Sequence, residues 1–396
     1  MGDRFINGFY NFLRPTLGTW LRSQYTFYGN NEKIQGLEPP FLVVSNHCLN
    51  WDPFLVSAYI PKAVRYIASD SLFRNRMLAF LLRNLVGAIS KTKAMADSQT
   101  VKEAIRIMKR GGIVGVFPEA NRTWDGKSID IIYATAKLVK LARVPVVMCM
   151  MKGAYLSRPR WAIRGRKGPM FLDYYVLFTE KQTRELTVDE IYHSMNNAIY
   201  HDEYEWQKQH MHRYTSETSA EFLELFLYIC PSCRTIGKLH SEKNAFTCLH
   251  CGLVHTLDDY GFFSGQRSFE HPGEWGDWQR DHIKTLLTGQ DAVYADEGAC
   301  LYSLTPKNKI RLIGKGTLVL YPDRIEFTAG KTGEKRVYEI RRIAGNTIQF
   351  NYLFEFYYEG VFHRFLFQPK NRVSAFKWNQ AVQHIKNENS NERGNT

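Results

Sequence analysis

The chain has 396 residues, enough for two or three domains, and 44% of them are hydrophobic, which excludes a chain without a core. Formal net charge is +13, and about +12 of it falls before residue 216, so the first half expects an anionic partner: phosphate head groups, acidic lipid, coenzyme A or nucleic acid. No aromatic-basic RNA motif and no DNA-reading helix is present, which favours lipid and nucleotide-thioester partners. Four of the seven cysteines form two tight pairs, and Cys48, Cys149 and Cys300 stand alone in apolar surroundings, so a secreted disulfide framework is excluded. No run of 18 apolar residues and no signal-peptide pattern is seen. The expected location is intracellular, peripheral on the cytoplasmic face of a membrane.

Residues 1–30 mix Phe5, Ile6, Phe9, Tyr10, Phe12, Leu13, Leu17, Trp20 and Leu21 with Arg4, Arg14 and Arg22. The pattern predicts an amphipathic helical pair, broken or kinked at Pro15, that lies in a bilayer interface or packs on the domain. Phe41–Ser45 reads as a buried strand, and His47 emerges where it ends, with Asp52 five positions on. A helix starting near Asn50 would turn the two side chains toward each other. An imidazole with a carboxylate to fix its tautomer is what general-base chemistry needs; capping a helix is the plainer role. Leu72–Val86 fills more than one helical face and predicts a core helix or a half-buried entry for apolar chains.

Residues 97–110 predict an amphipathic helix ended by Gly111-Gly112. A second apolar strand then runs to Phe117 and into Pro118-Glu119-Ala120-Asn121-Arg122-Thr123. Arg122, at a strand-to-loop exit, suits a phosphate because its planar fork donates two parallel hydrogen bonds, unless it only pairs with Glu119. A helix over 129–142, a strand over 144–150, a basic loop (Arg158, Arg160, Arg164, Arg166, Lys167) that is either simply solvated or, as a group, faces phosphate or anionic lipid, and a helix over 188–212 complete the first half. The last carries His201, His210 and His212, too loosely spaced to be assigned a metal. Alternating strands and helices predict an α/β domain with a mixed or parallel sheet over 31–215, with active residues at strand ends.

Taken together, these stretches resemble the glycerolipid acyltransferase family, the lysophosphatidic acid acyltransferase group. His47 and Asp52 match its His-four residues-Asp motif. Phe117–Thr123 is similar to its Phe-Pro-Glu-Gly-Thr-Arg-Ser, and Val144–Val147 to its Val-Pro-Val strand. Where relatives carry an Arg after a Gly-rich apolar run, this chain has Lys91 and Lys93 after Gly87–Ser90. The resemblance implies an acyl-CoA- or acyl-carrier-protein-dependent transfer to a lysophospholipid hydroxyl, with no acyl-enzyme and no catalytic cofactor. It implies His47 as base and Asp52 as its orienting partner. Asn46, Lys91, Lys93, Glu119, Asn121 and Arg122 would then bind substrate, the last two acidic and basic groups, Glu119 and Arg122, at the acceptor's phosphate. Ala120 replaces a glycine and forbids a backbone that needs φ > 0. The alternative is a lipid-binding or regulatory scaffold with a degenerate acyltransferase domain.

Composition shifts at Cys230-Pro231-Ser232-Cys233 and Cys248-Leu249-His250-Cys251. Two Cys-x-x-Cys turns about 15 residues apart predict a zinc ribbon over 229–258, its four thiolates closing around a structural ion. A helical linker is expected over 259–291. From 292 to 386 short alternating strands and a last helix resemble a pleckstrin-homology-like (or GRAM-like) domain, and 387–396 read as a disordered tail.

Overall fold

The computed structural model describes residues 3–73, 76–91, 98–265, 268–305 and 310–394. The chain divides into two compact units, 1–160 with 164–216, and 161–163 with 217–396. Each is described by itself.

The first unit opens with α1 (Asp3–Gln24) and β1 (Thr26–Asn30). Then come β2 (Phe41–Ser45), α2 (Asp52–Ser57), β3 (Val64–Ser69), α3 (Arg76–Leu81), β4 (Ile89–Lys91), α4 (Ser98–Lys109) and β5 (Ile113–Val116). It closes with α5 (Tyr133–Ala142), β6 (Val146–Lys152), α6 (Ala154–Ser157), β7 (Pro169–Phe178), α7 (Glu180–Glu185), α8 (Val188–Ile199) and α9 (Glu203–His210). Seven strands make one mixed sheet in the order β1-β7-β6-β2-β5-β3-β4. Only β6 and β7 pair antiparallel. All five residues of β2 are buried, which is why it reads as an unbroken apolar run: it is covered on both faces. One face packs on α4, α5 and α8 through Leu42, Val44, Val146, Met148, Ala104, Val139 and Ile191. The other meets α2, where the Tyr174 hydroxyl donates to the Val56 carbonyl at 2.8 Å.

Strand β2 lies between β6 and β5. From it the chain moves first to one side, for β3 to β5, and later to the other, for β6 and β7. The carboxyl end of β2 is therefore the switch point of the sheet, where such folds open a crevice.

Several elements differ from the sequence expectation. Residues 3–24 are one continuous helix with Pro15 inside it, followed by strand β1 paired in parallel with β7, so residues 26–30 belong to the sheet. Helix α1 is held to the domain by the Tyr10 hydroxyl on the Ser57 carbonyl (2.9 Å) and by buried Ile6 and Leu21. The segment after β3 is a 3-10 turn (Asp70–Phe73), α3, and a π-helical turn (Leu82–Val86) ended by Gly87 in the left-handed region. The 188–212 helix is two helices. The Asp202 carboxylate caps the second by accepting from the Tyr204 and Glu205 amides, which breaks the first at Tyr200.

The second unit holds β8 (Leu239–Glu242), β9 (Ala245–Cys248), β10 (Val254–Leu257) and β11 (Phe263–Ser264) in one antiparallel sheet. Because β11 pairs with β10, this sheet runs past residue 258. Helix α10 (Pro272–Leu286) follows, its buried Gln279 accepting from the Tyr228 and Ile229 amides. The rest is a seven-stranded antiparallel sheet and a C-terminal helix. Its strands are β12 (Tyr294–Leu304), β13 (Ile310–Leu320), β14 (Arg324–Ala329), β15 (Lys335–Glu339), β16 (Ile343–Gln349), β17 (Leu353–Tyr358) and β18 (Val361–Leu366), ordered β15-β14-β13-β12-β18-β17-β16. The helix is α11 (Ala375–Gly394), so the tail expected to be disordered from residue 387 is helical as far as Gly394.

Candidate active site

Where β2 ends, Asn46 replaces a strand partner. Its Nδ2 donates to the Met151 carbonyl at 2.8 Å and its Oδ1 accepts from the Met151 amide at 2.9 Å. The side chain is 3% exposed and joins the ends of β2 and β6. Its amide faces protein, not a substrate, contrary to the sequence expectation.

The next residue, His47, places Nδ1 2.8 Å from Asp52 Oδ2. That same oxygen accepts from the Cys48 amide (2.7 Å) and the Leu49 amide (2.8 Å), so three donors converge on it. Asp52 is fully buried at the first position of α2, where the helix dipole favours negative charge. The oxygen can only accept from the ring, so Nδ1 carries the proton and Nε2 is left as the basic nitrogen. The imidazole stacks on Phe117 (centroids 4.5 Å), and Phe117 stacks on Tyr66 (5.5 Å). Gly115 makes room for that stack, because a Cβ there would sit 2.3 Å from the Tyr66 ring. Burial lowers the proton affinity of His47 below the ordinary 6.5, the bond to Asp52 opposes this, and the Arg122 and Arg160 charges lower it further. The ring is therefore held neutral and competent as a base at neutral pH.

Glu119 follows β5 and is 4% exposed. Its Oε2 accepts from the His47 amide (2.6 Å) and its Oε1 from the Ile129 amide (2.7 Å). Burial pushes its carboxyl up to about 8, the two amide bonds opposing. Both oxygens accept from backbone amides, so Glu119 braces the histidine, a role that the sequence expectation did not include. Ala120 adopts φ +58°, the left-handed turn that alanine was expected to forbid. That conformation costs a residue with a Cβ about 1–2 kcal/mol. The loop closes on the histidine through the Thr123 amide, which donates to the His47 carbonyl at 3.1 Å.

Arg122 is half-buried in this loop, and its guanidinium has no hydrogen-bond or ion-pair partner among the described residues. Burial lowers its proton affinity, and the nearby Asp52 charge raises it. A guanidinium so placed is a ready anion site. Asn121 is exposed beside it. Lys91 is not brought to this group: it ends β4, three strands from β2, roughly 14 Å across the sheet. Lys93 lies outside the described residues. Trp124 and Tyr155 were given no role from sequence, and Arg160 only that of one member of a basic loop cluster facing phosphate or anionic lipid, although all three fasten the Arg122 loop. Only the run of arginines after β6 pointed toward them.

In the second unit, the sulfurs of Cys230, Cys233, Cys248 and Cys251 lie within 4.8 Å of one another. Cys230 to Cys251 is 3.6 Å and Cys233 to Cys248 is 3.7 Å. Tetrahedral Zn²⁺ with Zn–S near 2.3 Å sets its ligands about 3.8 Å apart, so the donor set and spacing fit that ion. No open position is left for water or substrate, so its role there would be structural.

Residues 26–152 match the family model described as Acyltransferase. The chain is 26% identical over 181 residues to the 1-acyl-sn-glycerol-3-phosphate acyltransferase of Limnanthes douglasii, covering 44% of this chain and 63% of that protein. It is 25% identical over 182 residues to the enzyme of the same name from Cocos nucifera, covering 44% and 58%. The chain thus spans less than two thirds of the length of these curated relatives. Among solved structures it is similar to the 1-acyl-sn-glycerophosphate (LPA) acyltransferase PlsC from Thermotoga maritima, with 23% identity and a TM-score of 0.38 over 47% of this chain and 75% of that one. The stretch matched by the family model contains His47, Asp52, Glu119 and Arg122.

Proposed function

We propose that this chain transfers a fatty acyl group from a thioester, acyl-CoA or acyl-carrier protein, to the hydroxyl of a lysophospholipid such as 1-acyl-glycerol-3-phosphate, in phospholipid biosynthesis or remodelling. One observation carries the reading: a neutral imidazole, locked at Nδ1 by a buried carboxylate, lies within the field of the Arg122 guanidinium, which has no hydrogen-bond or ion-pair partner among the described residues. The pair suits an acceptor with a hydroxyl to deprotonate and a phosphate to hold.

In this mechanism Nε2 of His47 takes the acceptor's hydroxyl proton as the oxygen attacks the thioester carbonyl. The C–O bond forms, the C–S bond breaks, and the imidazolium returns its proton to the departing thiolate. Asp52 stabilises the imidazolium, and Arg122 holds the phosphate. Cys48, next to the base, is no rival nucleophile: burial raises its thiol well above the ordinary range, so it stays protonated. A protonated Cys48 is consistent with the direct transfer, without an acyl-enzyme, that the family resemblance implies. The exposed Phe5, Phe12 and Trp20 of α1 support docking on the cytoplasmic face of an anionic membrane, and no helix among the described residues is long and apolar enough to cross one. In the second unit the four cysteines support a structural zinc, and the seven-stranded sheet with its terminal helix is consistent with a pleckstrin-homology-like module.

The test is acyl transfer from acyl-CoA to a panel of lysophospholipids. His47→Ala should cost about 10²–10⁴-fold in kcat with its circular dichroism spectrum intact, and Asp52→Asn nearly as much. Near wild-type turnover by His47→Ala on every active acceptor would remove the assigned base. A wild-type chain inactive on the whole panel would favour the scaffold reading.

A further inference from the structure

We propose that Arg160, outside the stretch matched by the family model, is a positioning residue that fixes Arg122 for acceptors ending in a phosphate. The inference rests on the acyl-transfer reading for its substrate class.

Arg160 is 7% exposed. Its Nη1 donates to the Arg122 carbonyl at 2.6 Å, and its guanidinium lies 4.5 Å from the centre of the Trp124 ring. Trp124 is itself buried, and its carbonyl accepts from the Tyr155 hydroxyl at 2.9 Å. Three consecutive residues of the loop are therefore tied down: Arg122 by Arg160, Thr123 by the His47 carbonyl, and Trp124 by Tyr155. These ties matter because the loop turns through an alanine at φ +58°, a geometry the residue itself disfavours. A lysine at 160 would keep the charge but lose the planar fork that both stacks and donates.

Charge points the same way. Arg122 is attracted by Asp52 and repelled by Arg158, and Arg160 is repelled by Arg122. Arg158 is placed by a 3.4 Å bond from Nη1 to the Tyr25 hydroxyl. A bound anion relieves such repulsion; a phosphate monoester supplies one and a neutral glyceride does not.

Full-length wild type, Arg160→Lys, Arg160→Gln and Trp124→Leu would be compared in two measurements. The first is steady-state transfer to 1-acyl-glycerol-3-phosphate. The second is calorimetric binding of sn-glycerol 3-phosphate, which needs no turnover. Arg160→Gln should raise KM about ten-fold or more with kcat within a few-fold, and weaken glycerol 3-phosphate binding in parallel. Arg160→Lys should recover part of the binding, and Trp124→Leu should resemble Arg160→Gln. Unchanged KM and unchanged glycerol 3-phosphate affinity in a folded Arg160→Gln protein overturns the inference. So does a loss confined to kcat and melting temperature, which is the mark of a brace with no part in anion binding. If wild type transfers to no acceptor but binds glycerol 3-phosphate in an Arg160-dependent way, acyl transfer fails while the anion site stands.

Discussion

Replacing Glu119 by glutamine separates the role assigned from sequence from the one built into the fold. Each carboxyl oxygen accepts one backbone amide, His47 on one side and Ile129 on the other. Glutamine offers one acceptor and turns an NH₂ toward the second amide, leaving a buried donor facing a donor. A buried donor without an acceptor costs about 1–3 kcal/mol, so the variant should lose about 2 kcal/mol by urea unfolding. The displaced amide is that of the base itself, and a shift of about 1 Å at a reacting group can cost about 10²-fold, which should fall on kcat. There is also a signature in pH. Folded Glu119 holds its proton to about 8, whereas an unfolded glutamate releases it near 4.5. Between those values the unfolded chain binds fewer protons, so stability falls as pH rises and the fall ends above about 8. His47 acts in the opposite sense. Its folded affinity is below 6.5, so it lends a rise in stability with pH that is complete by about 6.5. From pH 6.5 to 8 wild type should therefore lose up to about 1.4 kcal/mol per pH unit relative to Glu119→Gln. Parallel stability curves in that window, with wild-type kcat, would refute the bracing role. A raised KM for phosphate-bearing acceptors alone would restore Glu119 to the acceptor.

Elemental analysis of protein purified without chelators should find one zinc per chain. Cys233→Ser should lose it and loosen residues 229–258 to protease while transfer at His47 continues; metal-free wild type or an unaltered variant would sink the assignment. For membrane contact, Phe12→Asp on the exposed face of α1 should reduce co-sedimentation with vesicles containing anionic phospholipid, and unchanged pelleting at low and high salt would return α1 to a packing role. A point substitution is required because removing residues 1–30 would also remove β1 from the sheet.

The sequence by itself carried whatever is local. The unbroken apolar run of β2 marked a strand buried on both faces, and a histidine with an aspartate five residues on fell within one strand-loop-helix turn. Alternation of strands and helices was enough to predict a mixed or parallel sheet, and two Cys-x-x-Cys turns marked the thiol cluster, since each pair sits on one turn. Side chains whose partners lie far along the chain were decided only by the tertiary structure. Asn46 finds Met151 105 positions away, Glu119 reaches back 72 to the His47 amide, and Arg160 reaches back 38 to Arg122. Spacing in the chain says nothing about such pairs, because the order of strands in the sheet sets them: β2 lies between β5 and β6, so residues leaving those three strands meet at one end. Lys91 is the converse case. It lies closer to His47 in sequence than Glu119 does, yet β4 forms the far edge of the sheet and carries it away. Ala120 shows the limit of reading a single residue, for its unfavourable φ is held by loop ties from His47, Tyr155 and Arg160 that its neighbours in the chain do not reveal.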